Sequence, residues 1–113
     1  MGLIKKKEGQ EKTKDSDLKF EISIDGKDYK AVLRKPLFTD YRMASLSLQS
    51  NTGKLDILAA GSSIIQYCWK SGSEELKNGD ETDNPEIAKA YMNFCTAVYN
   101  KVFNETRAEI KKN

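Results

Sequence analysis

Few residues of this chain are equipped for catalysis. It contains no histidine, the side chain best suited to proton transfer near neutral pH and the commonest metal ligand. Its two cysteines, Cys68 and Cys95, fall among apolar neighbours in segments of helical pattern, and nothing nearby offers a base to activate a thiol. They read as small buried hydrophobes. A disulfide between them requires that their two helices touch at those positions. Acids gather at Glu74, Glu75, Asp80, Glu81 and Asp83, which raises the question of calcium, but the alternating ligand spacing of an EF-hand loop is missing. Gly72 and Gly79 have neither the spacing of a phosphate loop nor its following Lys-Ser/Thr. Carboxylate pairs are plentiful, yet carboxylate chemistry needs a shaped pocket that small helical domains seldom have. The expectation is a protein with no catalytic residues, no metal and no cofactor, which works by binding another protein.

Composition narrows the class further. A chain of 113 residues is one domain by length. At this size roughly two-thirds of the unfolded surface is buried, enough for a core without disulfides or metal. The 19 basic and 17 acidic residues leave a net charge of +2, no strong reason to invoke nucleic acid. No run of about 18 apolar residues offers a membrane span. Met1-Gly2-Leu3-Ile4 is followed at once by Lys5-Lys6-Lys7, the reverse order of a signal peptide. Gly2 would need Ser or Thr at position 6 for myristoylation, and that position is Lys6. A cytoplasmic protein is expected, so the Asn104-Glu105-Thr106 sequon carries no meaning.

The elements follow from periodicity. Residues 1–16 are polar around only Leu3 and Ile4, a composition that cannot offset its ordering entropy. They read as a disordered tail ahead of a single α+β domain over residues 17–113. Leu18, Phe20, Ile22 and Ile24 then alternate with polar residues, Asp25-Gly26 signals a turn, and Tyr29, Ala31 and Leu33 alternate again up to Arg34-Lys35-Pro36. An antiparallel hairpin over 18–34 is predicted, with Phe20 facing the core. Two strands alone are marginal, so the hairpin must pack on helices or pair with another chain. A first helix over about 40–50 opens at Thr39 as N-cap, with Asp40 favouring the dipole and Phe38 and Met43 as a hydrophobic staple. A second, about 55–69, is apolar over most of its circumference and reads as the central, buried element. Ile64 lies within it and Trp69 at its end, both expected in the core. Gly61 in its interior costs about 1 kcal/mol against Ala, which points to close approach by a neighbour. Ser73 caps one short turn, and a loop follows to residue 83.

The third helix begins with Asn84 as N-cap and Pro85 at N1, a strong start, and its pattern runs to about Ile110. Its roughly 26 residues span about 39 Å, longer than the 30–35 Å expected of a domain of about 97 residues. One stripe is Ile87, Tyr91, Phe94, Val98 and Val102; a second is Ala88, Met92, Cys95, Tyr99 and Phe103. Together they cover an arc of about 180°, whereas a surface helix needs somewhat more than 100°. Two readings stand: a helix wedged between internal neighbours, with Phe94 in the core, or a stripe kept for a partner. Beyond Phe103 the first stripe turns acidic at Glu105 and Glu109 while the second continues to Ile110. The partner reading therefore assigns Tyr99, Phe103 and Ile110 as anchors for a helical protein.

The order of these features carries a resemblance. A short hairpin ends in Arg34-Lys35-Pro36, a capped helix follows at Phe38-Thr39-Asp40, and a buried helix closes in Cys68-Trp69-Lys70-Ser71-Gly72-Ser73-Glu74-Glu75 before a long C-terminal helix. Over about residues 20–110 this resembles the tail-assembly-chaperone-like proteins of bacteriophages and prophages. The Cys68–Glu75 segment is its distinctive part. The resemblance implies a role in tail morphogenesis, in which the tape-measure protein is coated and tail-tube subunits are recruited. It also leaves room for a homo-oligomer.

Two other classes compete. A nucleic-acid-binding regulator would place a helix-turn-helix around Asn51-Thr52-Gly53, but residues 55–69 are too apolar for base readout, with only Lys54 and Lys70 at the ends. A minor structural protein of the phage particle would use its hairpin edge for β-addition.

Overall fold

The computed structural model describes residues 16–49 and 53–104. The polar tail over residues 1–15 and the end of the third helix beyond Asn104, Ile110 included, lie outside the described residues.

Asp25 and Gly26 adopt positive φ, 51° and 83°, as a tight two-residue hairpin turn requires. They join β1 (Leu18–Ile24) to β2 (Lys27–Leu33) in register from Ile24↔Lys27 to Leu18↔Leu33. The alternating apolar residues of β1 face the helices, and Phe20 meets Phe94 edge to face at 5.4 Å. The predicted hairpin is thus present and is packed on helices.

A third strand, β3 (Trp69–Gly72), joins β2 to complete an antiparallel sheet in the order β1-β2-β3. Trp69, expected at the end of the second helix and largely buried, instead opens this strand and is only half-buried against the core. The reason is local. The Arg34 N–H donates to the Cys68 carbonyl at 2.9 Å, which turns the chain out of the helix and onto β2. Pairing then runs Leu33↔Trp69, Val32↔Ser71 and Ala31↔Gly72, with an irregularity at Lys70. Gly72 sits at φ 138° with its α-carbon pressed against Lys30 and Ala31, where a side chain would overlap backbone.

The first helix, α1, spans Phe38–Leu48, with Leu37 rather than Thr39 at the N-cap. The expected staple does not form, because Phe38 and Met43 both face outward, 77% and 38% exposed. The start is set instead by Asp40, whose carboxylate accepts the Leu37 N–H at 2.8 Å. A bridge between Gln49 and Leu55 narrows the connection to α2 (Ile57–Cys68). There the Asp56 side chain caps the helix by accepting the Ala59 N–H.

Helix α2 is the central element, with Ala60, Gly61, Ile64, Ile65 and Cys68 buried between α1 and α4. The close approach expected at Gly61 is present: a Cβ there would land on the Cys95 backbone. The short helix α3 (Glu74–Lys77) follows Ser73 as predicted and buries Leu76. A single 3-10 turn at Gly79–Glu81 then leads on. Helix α4 spans Pro85–Tyr99, opened by Asn84 accepting the Glu86 N–H at 2.9 Å. It widens into a π turn over Asn100–Asn104. Phe94, Val98 and Val102 are buried, so the inner stripe stays on the core through this change of pitch. No helix among the described residues is long and apolar enough to cross a membrane.

Candidate partner-binding surface

The groups with potential chemistry are tied into structure. Arg34, just after β2, donates through Nη1 to Asp40 Oδ2 at 2.8 Å and through Nη2 to the Tyr67 carbonyl at 2.8 Å. Asp40 is buried. The Arg34 hydrogen bond holds its carboxyl below the usual range against the opposing effect of burial, and the Leu37 N–H adds to the lowering. The same bond raises the Arg34 guanidinium. This lock joins the end of β2, the start of α1 and the end of α2, and it fixes how α1 sits on the molecule. A second pair, Lys70 Nζ to Asp17 Oδ2 at 2.6 Å, ties β3 to the residue before β1.

Both cysteines are buried free thiols, each pushed up to about 12 by burial. A thiolate is the reactive form, so neither is suited to nucleophilic work at neutral pH. Tyr91 is raised to about 12 by burial as well, and its hydroxyl shares a 2.7 Å hydrogen bond with Ser62. Among the described residues no three His, Cys, Asp or Glu side chains converge as metal ligands. Glu74, Glu75 and Glu81 line an open surface depression beside Ile87, and Asp80 lies apart from them, beside Leu58 and Tyr91.

Of the predicted core residues, Phe94 and Ile64 are fully buried, while Phe20 and Trp69 are half-buried and packed against the core. Of the predicted partner anchors, Tyr99 and Phe103 come together. Their rings stack at 5.1 Å, 24° apart, and Phe103 meets Tyr41 of α1 edge to face at 6.2 Å. Both are half-buried. Helix α1 packs chiefly on α2, and the Tyr41–Phe103 contact ties it to the end of the C-terminal helix. Ile110 lies outside the described residues. Of the remaining outer stripe, Met92 is exposed and Cys95 is buried against Gly61.

Among the described residues, four of the exposed large hydrophobics lie on α1 and the residue that leads into it. Tyr41, Ala44 and Leu48 face inward. Outside that stripe the exposed Phe38, Arg42 and Leu46 form an i, i+4, i+8 row, with Met43 beside it and Leu37 at its head. Leu37, Phe38 and Leu46 are 63%, 77% and 59% exposed. Helix α1 is therefore apolar on both faces. Single exposed apolar residues are ordinary, but a cluster of large ones marks an interaction surface. The sequence carried a signal for it, since Phe38, Met43 and Leu46 fall outside the stripe of Tyr41, Ala44 and Leu48 at helical spacing. The signal was masked because Phe38 and Met43 also fit a staple. Lys35 and Arg42 are exposed along the row, whereas the nearby Asp40 is buried in its bond to Arg34.

Comparison with protein-family models, with characterised proteins and with solved structures gives no match.

Proposed function

We propose that this protein is a non-enzymatic binder of a helical protein partner, a tail assembly chaperone whose client is a tape-measure protein. The observation that carries this reading is the apolar outer face of α1. A helix already packed through Tyr41, Ala44 and Leu48 has no use within its own domain for Leu37, Phe38 and Leu46 at 59–77% exposure. An amphipathic helix laid along such a row recognises anchors at i, i+4 and i+8. Arg42 lies between Phe38 and Leu46, and its aliphatic stem can cover apolar surface while its head takes a carboxylate. The client segment is thus an amphipathic helix with an acidic residue in or beside its apolar face. The choice of tape-measure protein rests on the resemblance of residues 20–110, and above all of the Cys68–Glu75 segment, to phage tail-assembly-chaperone-like proteins. The thiols at about 12 fit a role without covalent chemistry.

The test is co-expression of the full chain with an amphipathic helical tape-measure segment, followed by pull-down. The wild-type chain keeps the segment soluble and captured. The double substitution Phe38→Asp/Leu46→Asp releases it without lowering the melting temperature. Equal capture by both proteins would sink the assignment to α1. So would a change in the chain's own mass in solution, since the face would then serve a second copy.

A further inference from the structure

A second surface, independent of α1, lies at the edge of the sheet. β1 is an outer strand, and its seven residues pair with β2 without a break in register. It contains neither proline nor glycine. The two-residue turn closes on the Ile24–Lys27 pair, which in this hairpin geometry exchanges both backbone bonds. Alternation then aims the backbone groups of Ile24, Ile22, Phe20 and Leu18 at β2. Those of Ser23, Glu21 and Lys19 point away from it. Among the described residues no strand pairs with that outer row. The helix-facing side chains are equally incomplete. Leu18, Phe20, Ile22 and Ile24 are each half-buried, whereas Ala31 and Leu33 of the neighbouring strand are fully covered.

We infer that β1 pairs antiparallel with β1 of a second copy of this chain, in the register that sets Phe20 opposite the partner's Phe20 and Lys19 opposite the partner's Glu21. The argument is charge complementarity under the constraint of backbone polarity. Outward residues must meet outward residues, so only every second register is open. Centring the pair on Glu21 sets two carboxylates opposite each other. Centring it on Lys19 sets two ammonium groups opposite each other. Centring it on Ile22 puts Glu21 opposite the partner's Ser23 and Lys19 opposite the partner's Asp25, which stands outside the strand in the turn at φ 51°, so that neither makes a regular cross-strand charge pair. Centring it on Phe20 forms two reciprocal Lys–Glu pairs on the outer face. On the inner face it closes Phe20 on the partner's Phe20 and Leu18 on the partner's Ile22. A lysine on an edge strand ordinarily guards against pairing; Glu21 two residues along permits one pairing and penalises its neighbours. The product is a six-stranded sheet with both α4 helices on one face, and its isologous contact closes on itself.

Sedimentation equilibrium of the full chain across the micromolar range tests this. The wild type is a dimer. Lys19→Glu and Glu21→Lys each turn two attractive cross-strand pairs into two repulsive ones and weaken dimerisation about tenfold or more. The double swap Lys19→Glu/Glu21→Lys recovers most of the lost affinity, short of the wild type only by the 3.7 Å Glu21–Lys30 pair within each protomer that it gives up, which also shows that neither site is needed for folding. In hydrogen exchange, the Lys19 and Glu21 amides are protected in the dimer and lose protection in either single variant. A wild type that stays monomeric across the range overturns the inference. So does a dimer indifferent to both single reversals, or a double swap as weak as the singles.

Discussion

The backbone carbonyl of Cys95 lies where a side chain on Gly61 would project. Helices α2 and α4 therefore touch backbone to backbone at this level, between Ile64 and Phe94 of the core. Helix propensity alone would have Gly61→Ala stabilise α2 by about 1 kcal/mol. The overlap is with backbone, which cannot swing aside as a flexible side chain can. Overpacking of this kind costs about 1–3 kcal/mol, so the substitution is net destabilising. The shift of the urea midpoint checks it, and a midpoint that rises would show that α4 moves away at little cost.

Burial separates two aromatics of the core. Phe94 is fully buried and Trp69 half-buried. Phe94→Ala is expected to cost about 3–5 kcal/mol, as truncations of buried aromatics do. Trp69→Ala is expected to cost about half as much, because part of its surface is already in water. Denaturant unfolding of both variants gives the ranking, and a reversed order would mean that Trp69 anchors β3 more strongly than its exposure indicates.

Asp40 predicts the acid limb of stability. Its folded carboxyl is held low, chiefly by the Arg34 hydrogen bond, and an unfolded aspartate titrates near about 3.9. A depressed folded value means the stabilisation is fully present above the unfolded value. It is lost as the pH falls below that value and through the folded one. Asp40→Asn therefore lowers stability at neutral pH and flattens its fall as the pH drops below about 4. Urea midpoints of both proteins across that range make the comparison, and parallel curves would remove Asp40 from the acid transition.

These predictions divide along the line between what periodicity encodes and what it does not. The hairpin, the Asn84-Pro85 start of α4, the central place of α2 and the close approach at Gly61 were legible because each depends on local chemistry or on one long pattern. β3 was not. Four residues, Trp69-Lys70-Ser71-Gly72, are too few to show a period of two, and their strand state comes from the Arg34–Cys68 backbone bond and from β2 alongside. The start of α1 was misplaced for a similar reason. Asp40 serves as the acceptor for the Leu37 N–H only because Arg34, six residues away, fixes it. The candidate surface was legible in part. The paired outer anchors Tyr99 and Phe103 do come together, yet the ring of Tyr41, from a different helix, takes up part of their surface. The more open apolar row had been absorbed into a staple.

Phe103 and Phe38 separate support from contact. Phe103 is half-buried, stacks on Tyr99 and meets Tyr41; each aromatic pair is worth about 0.5–1.5 kcal/mol beyond its buried area. Phe103→Ala is therefore expected to destabilise the chain measurably, though less than Phe94→Ala. It weakens partner capture only indirectly, because Tyr41 lies on the underside of α1 and loses its footing. Phe38 is 77% exposed, so Phe38→Asp should leave stability within about 0.5 kcal/mol. Its ring is the most open anchor of the outer row, and central aromatics carry about 1–2 kcal/mol or more of a binding energy, so capture of the tape-measure segment should fall at least tenfold. Stability by urea unfolding and capture by pull-down, measured on both variants, decide the matter. If Phe103→Ala abolishes capture at unchanged stability while Phe38→Asp leaves capture intact, the partner lies along Tyr99, Phe103 and Ile110, and the outer face of α1 is not its site.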